Sequence, residues 1–109
     1  MSAVVRDNPD QSRYEVLVDG RLAGFAQYRR TRDRITMFHT EVASEFEGQG
    51  LGGELARAAL DDVRRRGLNL LPLCPFIAGY IRRHPDAYLD LVTPGLRARV
   101  MEGAGSADG

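Results

Sequence analysis

The chain has no lysine, a single cysteine and no long apolar run. Each absence removes a class of answer. All fifteen basic residues are arginine, so a Walker-type phosphate loop, which needs a lysine on the β- and γ-phosphates, is excluded. One cysteine, Cys74, excludes an intramolecular disulfide, and no apolar stretch approaches the ~20 residues that a membrane-spanning helix requires. Fifteen acidic residues balance the fifteen arginines, so no net field draws in nucleic acid or an anionic membrane. The first ten residues lack the apolar core of a signal peptide, and a cytoplasmic protein is expected. What remains is ordinary soluble composition, 43% apolar and 28% charged over 109 residues, which is the size of one domain.

Punctuation along the chain divides it into a polar N-terminal arm over 1–11, a domain over 12–100 and a flexible tail over 101–109, the last reading Gly-Ala-Gly-Ser-Ala-Asp-Gly from Gly103. Tyr14 to Val18 and Leu22 to Tyr28 read as strands joined at Asp19-Gly20, a strong hairpin signal. After the charged turn Arg29 to Arg34, a third strand is expected to place Ile35, Met37, His39 and Glu41 on one face and Thr36, Phe38, Thr40 and Val42 on the other. Leu51, Leu55, Ala56, Ala59, Leu60 and Val63 recur at helical spacing, and Arg64-Arg65-Arg66 before Gly67 marks the helix end. Leu68 to Cys74 reads as a buried strand reached by a βαβ crossover, parallel to the third. Phe76 to Arg83 predicts a short helix stopped at His84-Pro85, and Ala87 to Val92 a turn or edge strand.

Glu47-Gly48-Gln49-Gly50-Leu51-Gly52-Gly53 lies between the third strand and the long helix. Glycines permit positive φ and close backbone approach, and first-turn N–H groups lack intrahelical partners. Together these are what a phosphate needs. Gly48, Gly50 and Gly53 formally match the dinucleotide pattern G-x-G-x-x-G. No acidic residue ends the following strand to hold a ribose, however, and one βαβ unit after a meander is not a doubly wound sheet.

Four segments in order, His39-Thr40-Glu41-Val42, the glycine loop, Leu71-Pro72-Leu73-Cys74-Pro75-Phe76 and Tyr80-Ile81-Arg82-Arg83-His84-Pro85, resemble the small GNAT-like (GCN5-related) N-acetyltransferases of about one hundred residues. The resemblance covers about Tyr14 to Val92. It implies an α/β protein with a reduced acetyl-CoA N-acyltransferase fold: a mostly antiparallel sheet with one parallel βαβ crossover. It also implies an acetyl-CoA-dependent N-acetyltransferase, with a non-catalytic CoA-binding module as the alternative. Acetyl-CoA would be the cosubstrate and no metal is expected. By position, Gly48, Gln49, Gly50, Leu51 and Gly52 would receive the pyrophosphate, Val42 and Ala43 would offer backbone groups to the pantetheine, and Leu73 and Cys74 would form the opposite lip. Glu47 departs from the Arg or Gln that opens the family's loop, and a carboxylate there repels pyrophosphate unless it points to solvent.

Acetyl transfer to an amine needs an unprotonated nucleophile, a stabilised oxyanion and a proton for the departing thiolate. His39 and Glu41, two apart on a strand, can relay a proton. Tyr80 falls near the superfamily's usual tyrosine and can protonate the thiolate, since phenols and thiols ionise in a similar range. Cys74 can contact the cofactor or accept the acyl group. Arg82, Arg83 and His84 are candidates for the CoA 3′-phosphate or an acidic substrate. Asp19-Gly20 closes a direct hairpin where ordinary members insert helices. One sheet face is therefore expected to be uncovered, as a surface for a homodimer or a protein partner. The amine acceptor, small or protein-borne, is not legible.

Overall fold

A computed structural model describes residues 2–108. Five strands form one sheet in the order β1-β2-β3-β4-β5. They are β1 (Ala3–Asn8), β2 (Arg13–Val18), β3 (Arg21–Arg30), β4 (Arg34–Val42) and β5 (Asn69–Pro72). The first four pair antiparallel, and β4 pairs with β5 parallel. The expected fold, an antiparallel meander with one parallel crossover, is therefore present. The crossover is helix α1 (Leu51–Arg66), which ends at Gly67. Helix α2 (Pro75–Arg83), a single turn α3 (Pro85–Tyr88) and helix α4 (Arg97–Asp108) follow.

The segment over 1–11 is not simply a polar arm. Ala3–Asn8 pairs with Arg13–Val18 as an edge strand, from Ala3 opposite Val18 to Asn8 opposite Arg13. Asp7 ties it down by accepting from the Tyr28 hydroxyl at 2.6 Å. Polar composition hid it because an edge strand buries little of its own surface. At the other end, α4 runs through positions where a flexible tail was expected; Val100 is buried and its carbonyl accepts from the Arg82 guanidinium at 3.0 Å. Residue 109, the last of that tail, lies outside the described residues.

One face of the sheet is covered. Leu55, Ala56, Ala59, Leu60 and Val63, one stripe of α1, are fully buried, and α1 touches β1 to β4. Small residues at 56 and 59 let the helix lie close on Val16, Ala26 and Tyr28, which are also buried. A fully buried Leu or Ile contributes ~1.5–3 kcal/mol, so this stripe with Ile35, Leu70, Ile77 and Ile81 is the main stabilising layer. The opposite face carries Arg6, Arg13, Glu15, Phe25, His39 and Glu41, and among the described residues no helix covers it.

Strand β4 does not keep a simple alternation. Tyr28 pairs with Met37 and Gln27 with His39, leaving Phe38 as an extra residue. Such a bulge shifts the period by one. Ile35 and Met37 are buried, Phe38 and His39 are both exposed, and Thr40 and Val42 are half-buried. His39 and Glu41 therefore leave the face opposite to Ile35 and Met37, which corrects the expected grouping.

Candidate functional site

The bulge coincides with the place where β4 loses its parallel neighbour. Pairing with β5 runs from Arg34–Asn69 to Met37–Pro72, and the Met37 carbonyl then accepts from both Leu73 and Cys74 N–H at 2.9 Å. Beyond Met37, no strand pairs with that edge of β4 among the described residues. The Ala43 N–H donates to the Ala23 carbonyl at 2.8 Å, and its own carbonyl accepts from Phe46 at 2.8 Å. Ala43 is thus already committed, whereas antiparallel alternation turns the N–H and C=O groups of Thr40 and Val42 away from β3, toward the open edge. Of the two residues expected to offer backbone groups there, Val42 is in position.

Opposite this edge, Cys74 is buried at the N-terminus of α2. Its Sγ lies 3.2 Å from the Thr40 hydroxyl, across the mouth between the strands. Thr40 was not singled out from the sequence. Only the bulge, which turns it inward, reveals it.

A 3₁₀ turn, Ser44–Phe46, leads from β4 to the glycine loop. Gly48 and Gly50 have φ of +83° and +76°, and a Cβ at either would meet open space. Glycine is required at both by backbone conformation rather than by crowding. The first intrahelical bond of α1 runs from Glu54 N–H to the Gly50 carbonyl at 3.1 Å. The N–H groups of Leu51, Gly52 and Gly53 precede it and are available to an anion. Gly52 has a packing role as well, since a Cβ there would come within 2.8 Å of the Phe76 ring. Glu47 is exposed, the orientation in which its charge least opposes a bound phosphate.

The four expected catalytic residues occupy three places. His39 Nε2 and Glu41 Oε2 are 2.8 Å apart on the uncovered face, 46% and 60% exposed. Cys74 stands with Thr40 inside the mouth. Tyr80 packs against α1, near Gly53. Its ring lies 4.5 Å from His84 and 6.0 Å from Tyr88, with the Arg83 guanidinium 6.0 Å away. The arrangement places an unpaired strand edge and free helix N–H groups on one side and the hydrogen-bonded His39–Glu41 pair on the uncovered face, while Tyr80, Arg83 and His84 form a cluster of their own.

A second polar region lies along α1 from Arg57 to Arg66. A depression of about 440 Å³ between β1 and α1 is lined by Asp7, Arg57, Asp61, Asp62 and Arg66 among others. Its charges are spent on each other. Asp62 accepts from the Tyr14 hydroxyl at 2.6 Å and Arg66 Nε at 2.7 Å, and also pairs with Arg65. Burial alone raises the Asp62 pKa, but these donors outweigh it and hold the carboxyl below its usual range. Burial, then the bond to Asp62, raises the Tyr14 hydroxyl well above the phenol range. Such mutual pairing is structural, so the loop and the strand mouth remain the candidate site.

The sequence model of the family described as GCN5-related N-acetyl-transferase matches residues 13–91. Among curated proteins, the chain is similar to Protein NATD1 of Xenopus tropicalis, Mus musculus and Homo sapiens, each 34% identical over 61 residues. The matched segment is 55% of this chain and 54–56% of those relatives, so the chain spans about half the length of the curated relatives it matches.

Proposed function

Because the chain belongs to the GCN5-related N-acetyltransferase family, we propose that it transfers an acetyl group from acetyl-CoA to an amine. The observation that carries this reading is the end of β4–β5 pairing at Met37, which leaves the rest of β4 to Val42 without that neighbour on the way to a glycine loop that opens α1. The backbone groups of Thr40 and Val42 on the unpaired edge suit the two amides of a pantetheine arm, and the loop with the first turn of α1 suits its pyrophosphate. In the transfer, the amine nitrogen attacks the thioester carbonyl, the carbon–sulfur bond breaks, and the amine's proton passes to the thiolate. The products are an N-acetyl amide and free CoA. Holding the two reactants in register does most of the work. His39 and Glu41 are the pair that removes the proton. Cys74 and Thr40 border the sulfur.

A second reading, CoA binding without turnover, draws on the separation of Tyr80 from the His39–Glu41 pair. The two are distinguished by whether an N-acetyl product forms. Binding itself is tested by thermal melts with acetyl-CoA, CoA and NAD. Acetyl-CoA at a hundredfold excess over its Kd should stabilise the fold by ~2.7 kcal/mol, with NAD doing much less. A strong shift with NAD and none with acetyl-CoA would sink the reading. A Cys74→Ala variant should bind acetyl-CoA within about tenfold of the parent. If that variant also keeps its turnover, the amine attacks directly rather than through an acyl-cysteine.

A further inference from the structure

The uncovered sheet face has one carboxylate whose recorded ion partner is not an arginine. On that face Glu15 is held by Arg6 and Arg13, and of the carboxylates outside the sheet Glu45 pairs with Arg21, Glu54 with Arg57 and Asp90 with Arg64. Glu41 is 60% exposed and meets His39 instead. It stands near the end of β4 beside the strand mouth, with no arginine recorded as its ion partner and His39 Nε2 at 2.8 Å.

Across β3 the Arg13 guanidinium lies 4.7 Å over the ring of Phe25, the residue opposite Glu41, whereas the rim of the mouth is apolar. The bulge turns Phe38 and His39 outward together, and Phe38 is 43% exposed. The Phe25 ring lies 6.1 Å from the His39 ring on the same face. Leu73, whose N–H is bonded to the Met37 carbonyl and so adjoins Phe38, is 60% exposed. Exposed side chains of this size grouped at a cleft mouth mark a binding surface more often than isolated ones do.

We infer that the acceptor is a primary amine carried on an apolar body, its nitrogen directed to Glu41 and His39 and its body seated on Phe38 and Leu73. This rests on the acetyl-transfer reading above. An apolar amine answers both halves of the site, because its cationic form is drawn by the exposed carboxylate and its hydrocarbon covers surface otherwise left to water. A zwitterionic amino acid brings a second carboxylate against Glu41 and is disfavoured. A polyamine satisfies the charge and wastes the apolar rim.

The test compares 2-phenylethylamine, ethanolamine, phenylalanine and spermidine on the full chain, with turnover read as N-acetyl product and binding to the CoA-loaded protein read by calorimetry. Phenylethylamine should exceed each of the others by about tenfold or more in kcat/KM, or in affinity where no product forms. Phe38→Ala should raise KM for phenylethylamine about tenfold with kcat little changed, leave ethanolamine unaffected, and be rescued by Phe38→Leu. Preferential binding without any product would retain this inference while removing the transfer reading. Equal handling of phenylethylamine and ethanolamine would overturn it, as would an equal effect of Phe38→Ala on both. It would also be overturned if sedimentation showed this face covered by a second copy that phenylethylamine does not displace.

Discussion

The two polar regions of this protein, around Asp62 and at the mouth between β4 and β5, are built on opposite terms. Around Asp62, each group answers another. Tyr14 donates to Asp62, Arg66 reaches both Asp62 and Asp7, and Tyr28 donates to Asp7. This chain fastens the end of α1 to the edge strand β1. At the mouth, Glu41 and His39 stand half in water, Phe38 and Leu73 are exposed, and an edge of β4 goes without a strand. The first region lines a depression of about 440 Å³ with its charges paired, whereas the second leaves a strand edge and apolar side chains open. Concavity alone therefore does not mark a site; an unpaired strand edge and grouped exposed apolar side chains say more.

The comparison is most directly broken at Asp62. Asp62→Ala should cost about 2–3 kcal/mol, because it strands a buried tyrosine hydroxyl and leaves an arginine pair uncompensated. Urea unfolding measures the loss. Acetyl-CoA affinity of the folded variant should be unchanged, and a variant that weakens binding without losing stability would reverse the assignment of the two regions.

Gly24 probes the mouth through its backbone. A Cβ there would lie 2.6 Å from the Glu41 carbonyl oxygen and 3.2 Å from Val42 Cα. Those are backbone atoms that cannot swing aside, so Gly24→Ala should shift the end of β4 at a cost of about 1–3 kcal/mol. Acetyl-CoA affinity should fall by about tenfold at the same time. Calorimetry that found affinity intact in a destabilised variant would show that the β4 edge does not hold the ligand.

Titration sharpens the contrast. Burial alone raises the pKa of Glu15, but hydrogen bonds from Arg13, Asn8 and Arg6 outweigh it, and the result, as for Asp62, is a lowered value. A carboxylate of lowered pKa stabilises the fold above the unfolded value of ~4, and that contribution is lost as pH falls through the folded value. At the alkaline end, burial and then bonds to Asp62, Asp7 and Asp61 raise Tyr14, Tyr28 and Tyr88, the last to about 12. Their contribution is present below the unfolded value of ~10 and is lost as pH rises toward the folded ones. Urea midpoints should therefore drop on both limbs. Glu15→Gln and Asp62→Asn should flatten the acid limb; if neither changes it, the networks do not carry the acid sensitivity.

The smallest effect is expected at Gly53. A Cβ there meets only Tyr80 Cε1, at an ordinary 3.9 Å. Gly53→Ala should raise stability by up to about 1 kcal/mol through helix propensity. Acetyl-CoA binding should be preserved, since the backbone N–H remains. A loss of binding in melts would place the ligand closer to the Tyr80 side of α1 than the strand mouth.

By itself the sequence determined most of the scaffold. Apolar spacing from Leu51 to Val63, the stop at Gly67, the Asp19-Gly20 hairpin and the short run before Pro75 are local signals, each set by the backbone needs of one element. The glycine loop was legible for the same reason, as positive φ at Gly48 and Gly50 is written into residue type. Only the tertiary structure decided which way the site faces. Whether β4 alternates without interruption depends on how it registers against β3, and one extra residue at Phe38 sends His39 and Glu41 outward and brings Thr40 to Cys74. Likewise, Ala3–Asn8 is a strand because β2 supplies its partner and Tyr28 reaches Asp7. Register and edge pairing are relations between segments, and composition within one segment does not encode them.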